Sequence, residues 1–390
     1  MKARRQHGFS VLEAIVATGL MLLVTASIFS MMHPSQGAFA AEPEVTDMQQ
    51  RLRVGVDTLS KDLMMAGAGA YQGLHAGPLV YYLPPVLPFR QGAAKNDPPG
   101  TFATDRITII SVPSTTAQTT LGDSLSGPTA TFTPAVESDC PADPATGLPA
   151  KLCGFARNQT VLVYDGSGRY SLYTITSVVD AAATLTVNRP ADADSTTFAA
   201  GSKIVEASSR TYFLKSATSQ LMLSDGAGND VPVVDNLVGL QFDYYGEALP
   251  PMVRQSLSDV PATTYGPAPR TVAVAPWDAF ENCIFAPGAV PSPKLPVLGG
   301  GTSGLVPLTA AELTDGPFCP NATTANRWDA DLLRIRKIGV TLRVQTAVAA
   351  LRGPAGILFR RGGTSAGGFR WVPDQELRFD VSPRNLNLAR

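Results

Sequence analysis

From Phe9 to Met32 nearly every residue is apolar or small, and the one charged residue in the run is Glu13. About 24 residues at about 1.5 Å each make a helix of about 36 Å, enough to cross a bilayer with some tilt. A carboxylate inside such a helix costs about 2.5–3.5 kcal/mol on insertion scales, so it calls for a partner. Lys2, Arg4 and Arg5 precede the run, and Glu42, Glu44 and Asp47 follow it. The positive-inside rule then keeps Met1–Gly8 in the cytoplasm and sends the bulk of the chain outside. A secretory signal fits the basic leader, with Ala38-Phe39-Ala40-Ala41 as its cleavage region. A plain membrane anchor fits as well, but neither reading explains a carboxylate at the fifth position after Gly8.

The rest of the chain suits that outside location. Its 390 residues allow one large domain or two small ones. A net charge of −1 gives no bulk attraction to nucleic acid. Only 16% of residues are charged, while 35 glycines and 32 prolines favour a loop-rich β protein over a helical cytosolic enzyme. Cys140 and Cys153 flank a short loop with Pro141, Pro144 and Pro149, and Cys283 and Cys319 flank a longer Pro/Gly-rich stretch. In an oxidising compartment local closure favours Cys140–Cys153 and Cys283–Cys319, one of three connectivities, with free thiols as the alternative. No Cys-x-x-Cys occurs, which argues against zinc ribbons and thioredoxin-type chemistry.

Beyond the apolar run, Pro34 and Pro43 are each expected to end or kink the helix. Helical periodicity resumes with Val45, Met48, Leu52, Val56, Leu59 and Leu63, opposite Asp47, Gln50, Arg53, Asp57 and Lys61. This stripe is expected to pack on a globular head and to stop near Ala66-Gly67. Strand patterns follow at Leu79–Leu83, Arg106–Val112, Thr160–Tyr164, Tyr170–Val179, Thr184–Val187, Lys203–Glu206, Arg210–Lys215 and Gln220–Leu223. Leu237–Tyr245, Ile338–Val344 and Glu376–Val381 continue the series, the first two with clear alternation. Residues 114–158 and 246–326 read as long loops. The fold class is therefore α+β: a long N-terminal helix, membrane-spanning and then amphipathic, packed on a mainly antiparallel β head. The segments are a leader over 1–8, the helix over 9–67 and the head over 68–390.

No constellation for catalysis emerges, and the chain is not expected to be an enzyme or to need a cofactor. The only histidines are His7, His33 and His75, which leaves no imidazole for a triad or a multi-histidine metal site in the head. Gly299, Gly301 and Gly304 have dinucleotide-fingerprint spacing but sit among prolines without a βαβ context. Asp225, Asn229 and Asp230 on a Gly-rich turn offer oxygen ligands for Ca²⁺, although turn composition favours a plain hairpin. The C-terminal segment is basic, with Arg334, Arg336, Lys337, Arg343, Arg352, Arg360, Arg361, Arg370 and Arg378. It reads as solvated strand faces rather than a DNA-binding surface, because aromatic interleaving is confined to Phe369 and Trp371.

The basic leader, Gly8, Phe9, Glu13 and the apolar run together resemble the type IV prepilin family. Gln50-Arg51, Asp62-Leu63 and Ala66-Gly67 are similar to the large minor pilins of the PilW and PulJ type. So are Arg210–Leu214, Pro232-Val233-Val234, Val238–Tyr245, Arg334–Val344 and Val381–Leu386. The resemblance implies cleavage after Gly8 by a prepilin peptidase, N-methylation of Phe9 and an assembly role for Glu13. It also implies an inner-membrane protein with a periplasmic head, extracellular once in a pilus, whose partners are other pilins. Glu13 would then meet the new amine of a neighbouring subunit, since a paired charge recovers in low dielectric much of what desolvation costs. A J-type pseudopilin of type II secretion and a non-polymerising membrane-anchored binding domain are the alternatives.

Overall fold

The computed structural model describes residues 10–69, 79–92, 103–127, 129–134, 140–142, 144, 147–165, 168–188, 197–225, 229–250, 285–286, 292–301, 304–324, 326–365 and 371–387. The chain is a mixed helix-and-sheet protein with an apolar N-terminal helix and antiparallel sheets. Helix α1 runs Val11–Met65 without a break. Pro34 and Pro43 do not end it, contrary to the sequence expectation. Each proline removes only one backbone donor, and the bonds of neighbouring turns carry the helix past it.

The strands in chain order begin with β1 (Val86–Pro88), β2 (Arg106–Ser111), β3 (Gln118–Thr120), β4 (Thr129–Phe132), β5 (Thr160–Tyr164), β6 (Tyr170–Val179), β7 (Thr184–Asn188) and β8 (Lys203–Glu206). Then come β9 (Ser208–Lys215), β10 (Gln220–Ser224), β11 (Asp230–Asp235), β12 (Leu237–Glu247), β13 (Phe285–Ala286) and β14 (Ser292–Pro293). The last are β15 (Leu305–Leu308), β16 (Phe318–Cys319), β17 (Trp328–Asp329), β18 (Ile335–Val344) and β19 (Gln375–Val381). Leu79–Tyr81 is a 3-10 turn, not the strand its composition implies. The supposed loop over 114–158 holds β3 and β4, and residues 246–326 hold four short strands among those described.

Two compact units divide the chain. The larger comprises Leu52–Arg343 and Glu376–Arg390. It contains a five-stranded sheet, β1-β2-β9-β10-β11, and a four-stranded sheet, β15-β12-β18-β19. The last turns of α1 bury Leu52, Leu59, Leu63 and Ala66 there, each large side chain stabilising by about 1.5–3 kcal/mol. A Cβ on Gly55 would lie 3.0 Å from Leu342 of β18 and 3.4 Å from Val234 of β11, so the helix approaches both sheets at this glycine. Gly55→Leu should overpack that contact and cost about 1–3 kcal/mol, read as a lower midpoint in urea. An unchanged midpoint would mean that the helix is not seated there. The helix stops at Gly67, whose φ of 77° is left-handed and whose N–H donates to the Ile110 carbonyl at 3.1 Å.

Between β2 and β9 the chain detours into a six-stranded antiparallel sheet, β3-β8-β5-β6-β7-β4. Its end strands meet at a Leu121–Pro134 bridge, with Gly122 N donating to the Thr133 carbonyl at 2.9 Å, so the sheet curls into a small barrel. Val161, Val163, Tyr173, Ile175, Val187 and Phe198 are part of its core. Cys140–Cys153 closes its long β4–β5 connection, with Cα atoms 5.6 Å apart. Indole Nε1 of Trp328 donates to the Gly168 carbonyl at 3.0 Å, and Asn326 Nδ2 donates to the Tyr170 carbonyl at 3.1 Å. Arg90 donates to Tyr170 Oη and to the Arg327 carbonyl. These bonds fasten the β5–β6 hairpin to the body of the head.

The smaller unit comprises Met1–Arg51 and Val344–Gln375. Within it Glu44 of α1 accepts from Thr346 Oγ1 at 2.6 Å and from Ala347 N at 2.9 Å. The stretch after Ala347 forms its own miniature core from Leu351, Phe359 and Val372. Phe359 meets Trp371 edge-on at 5.6 Å.

Candidate functional site: an exposed apolar helix with a capped carboxylate

Val11–Met31 has a mean hydropathy of 2.1, is long and apolar enough to cross a membrane, and has none of its best window buried within the chain. Its hydroxyls cause little polar cost in such surroundings. Thr18 Oγ1 donates to the Ala14 carbonyl and Thr25 Oγ1 to the Met21 carbonyl, both at 2.7 Å. Val11, Ala14, Ile15, Thr18, Gly19 and Leu22 line one shallow face. An apolar surface this large needs lipid or other helices to cover it.

Glu13 lies in the first turn of α1. Its Oε2 accepts from Ser10 N at 3.0 Å and from Ser10 Oγ at 3.2 Å, while Glu13 N donates to Ser10 Oγ at 3.2 Å. This reciprocal arrangement is a capping box, and such caps are worth about 0.5–2 kcal/mol. The Ser-x-x-Glu spacing that signals it is legible in the sequence, though the pairing account of Glu13 passes over it. Glu13 therefore has local hydrogen bonds, while its charge has no cationic partner within the described residues. Gly8 and Phe9, the expected cleavage and methylation positions, lie outside the described residues.

Two segments of the head meet the far end of the helix. Asp62 of α1 accepts from Arg210 Nη1 at 2.6 and 2.8 Å and from Tyr212 Oη. Asn385 Nδ2 donates to the Ala66 carbonyl at 3.3 Å. A Cβ on Gly67 would sit 2.9 Å from Pro85 and 3.5 Å from Asn385 and Leu386. The Asp62, Ala66-Gly67, Arg210–Leu214 and Val381–Leu386 motifs thus fix the helix exit, a role that the separate short motifs do not announce.

The other candidates resolve into local structure. Asn229 donates from N and Nδ2 to Asp225 at 3.3 and 3.1 Å, closing the β10–β11 hairpin; Asp230 opens β11. Among the described residues no cluster of three or more His, Cys, Asp or Glu is arranged to hold a metal. Cys319 is buried and disulfide-bonded, while Cys283 lies outside the described residues. Gly299–Gly301 is a 3-10 turn and Gly304 precedes β15, so no helix opens from the fingerprint.

The expectation of solvated faces fails at two positions of the basic segment, while Arg360 and Arg378 are exposed. Arg334 and Arg336 are buried. Arg336 Nε pairs with Glu247 at 3.2 Å, Lys337 with Asp380 at 2.9 Å and Arg378 with Asp243 at 3.1 Å. Arg334 pairs with the buried Asp331, beside a second buried carboxylate, Asp329.

Asp329 accepts from Asp331 N at 2.8 Å and Gly316 N at 2.6 Å, yet burial outweighs those bonds and pushes its carboxyl up to about 7. Burial likewise raises Asp331 to about 6 against the pull of Arg334. Both shifts favour the protonated acid in the fold. Their stabilisation is complete below the ordinary carboxylate range and is lost as pH rises through about 6 to 7. Each group can lose up to about 1.4 kcal/mol per pH unit across that window. Urea unfolding should therefore give a lower midpoint at pH 8 than at pH 5, and Asp329→Asn should flatten the difference. A wild-type midpoint that rises between those values would contradict the burial of these acids.

No protein-family profile matches the chain, and no curated protein is significantly similar to it.

Proposed function

We propose that the chain is a membrane-anchored minor pilin of the PilW and PulJ type. In this reading a prepilin peptidase cuts after Gly8 and methylates Phe9, and α1 then carries the head into a type IV pilus. The large head suits an initiating or tip position, where its bulk is not repeated along the fibre. The pilin-like arrangement is supported by one observation above all. A single helix leaves Val11–Met31 wholly uncovered while burying Leu52, Leu59 and Leu63 in the head. Such a helix serves as an anchor before assembly and as a packing surface after it. The same parts would serve a J-type pseudopilin of type II secretion.

The capping box favours a second reading, a non-polymerising anchored domain, because Ser10 already satisfies two bonds to Glu13. Shearing surface filaments from cells and probing for this chain separates the two. The pilin reading expects it in the sheared fraction only when prepilin peptidase is present. Retention of the whole pool in the membrane would overturn that reading.

A further inference from the structure

Two Asn-x-Thr sequences lie in the head, Asn158-Gln159-Thr160 and Asn321-Ala322-Thr323. In a surface loop such a sequence is an acceptor for N-linked oligosaccharide. The fold treats the two differently. Asn158 N donates to the Ile175 carbonyl at 2.8 Å, and the Thr160 carbonyl accepts from Ala207 N at 3.0 Å. Thr160 also pairs with Thr174 of β6. A transferase must close around both the asparagine amide and the hydroxyl two residues on, so this backbone would first have to leave the barrel.

Asn321, Ala322 and Thr323 are exposed and lie in the connection between β16 and β17. Among the described residues, none of the three has a backbone bond to another element. Asn321 Oδ1 accepts from Thr323 N at 3.0 Å and Thr323 Oγ1 at 2.8 Å. It also accepts from Thr324 N and Thr324 Oγ1, both at 3.0 Å. Four donors on one atom settle which end of the amide is oxygen. They leave Nδ2 without a partner among the described residues. Arg327 N donates to the Thr324 carbonyl at 3.1 Å, and the turn follows the buried Cys319 and Pro320. The amide and the hydroxyl are thus presented together on a seated, exposed turn.

We infer that Asn321 is an N-glycosylation site of the folded head and that Asn158 is not. The donor class is an oligosaccharide carried on a polyprenyl diphosphate. Asn321 Nδ2 forms a bond to the anomeric carbon as the bond from that carbon to the diphosphate oxygen breaks. Polyprenyl diphosphate leaves with the electron pair, and one amide proton passes to a base of the transferase. The inference rests on the exposure of this turn, not on filament assembly.

The test incubates the full chain in detergent with that donor and an oligosaccharyltransferase whose acceptor rule is Asn-x-Ser/Thr alone. Peptide mass spectrometry then reads each asparagine. Occupancy of Asn321 should exceed that of Asn158 by at least about tenfold, because paired strands open far less often than exposed turns. Synthetic peptides spanning the two sequences should be glycosylated alike. Thr323→Val should erase the Asn321 product and leave the urea midpoint of the chain unchanged. An unmodified Asn321 in the folded chain beside a glycosylated peptide would overturn the inference. Equal occupancy of the two asparagines, or refusal of the Asn321 peptide, would overturn it as well.

Discussion

Glu13→Gln is expected to leave the chain in the membrane but to remove it almost entirely from filaments. Glutamine preserves the capping box, since an amide oxygen at the third helical position can still accept from Ser10 N and Oγ. The helix start should therefore stay intact. What disappears is the negative charge proposed to meet the terminal amine of a neighbouring subunit. Breaking a buried ion pair from one side costs about 3–5 kcal/mol, which corresponds to roughly 100-fold or more in incorporation at about 1.4 kcal/mol per tenfold. Immunoblots of sheared filaments against membrane fractions read this directly. Glu13→Ala should assemble no better, having lost both cap and charge. Normal incorporation of the glutamine variant would reduce Glu13 to a helix cap and remove the pairing account.

Arg334→Ala should destabilise the head more than any surface change. The guanidinium is fully buried. Nη1 donates to the Ala248 carbonyl at 3.0 Å and the Glu247 carbonyl at 3.3 Å, and Nη2 to the Pro296 carbonyl at 2.6 Å. Asp331 supplies its counter-charge. One side chain thus ties the end of β12 to the segment before β15. Its loss strands three carbonyls and a buried carboxylate, at a cost of about 3–5 kcal/mol. Thermal unfolding of the full chain in detergent should fall by on the order of 10 °C. Arg360→Ala, on an exposed arginine, should stay within about 0.5 kcal/mol of wild type. Equal behaviour of the two variants would contradict the structural role of Arg334.

The α1 stripe and the long strands are legible because local periodicity encodes them. Leu237–Tyr245 and Ile338–Val344 alternate in sequence, and Leu240, Phe242, Tyr244, Ile338, Val340, Leu342 and Val344 are buried. The barrel is not legible in the same way. Gln118–Thr120 and Thr129–Phe132 are short and hydroxyl-rich, and they become strands only through pairing with Lys203–Val205 and Leu185–Asn188. Tertiary pairing of that kind leaves little trace in a short window. Leu79–Tyr81 errs the other way, being apolar enough for a strand but wound into a turn after the helix exit.

For the candidate site, Glu13 stands out by its cost in lipid, and Ser10 by its capping spacing. The charged cluster around Arg334 is hidden, because a run of arginines looks the same whether its members face water or backbone carbonyls. Only the fold brings Glu247, Ala248 and Pro296 to one guanidinium. Asp62 is similarly silent until Arg210 and Tyr212 arrive from a strand far along the chain.

The proposed processing is tested most directly by mass spectrometry of the N-terminal peptide from protein purified out of its native membrane. The account predicts a chain that begins at N-methylated Phe9 and retains Glu13. An intact Met1 terminus, or a first residue beyond the apolar segment near Ala41, would contradict it.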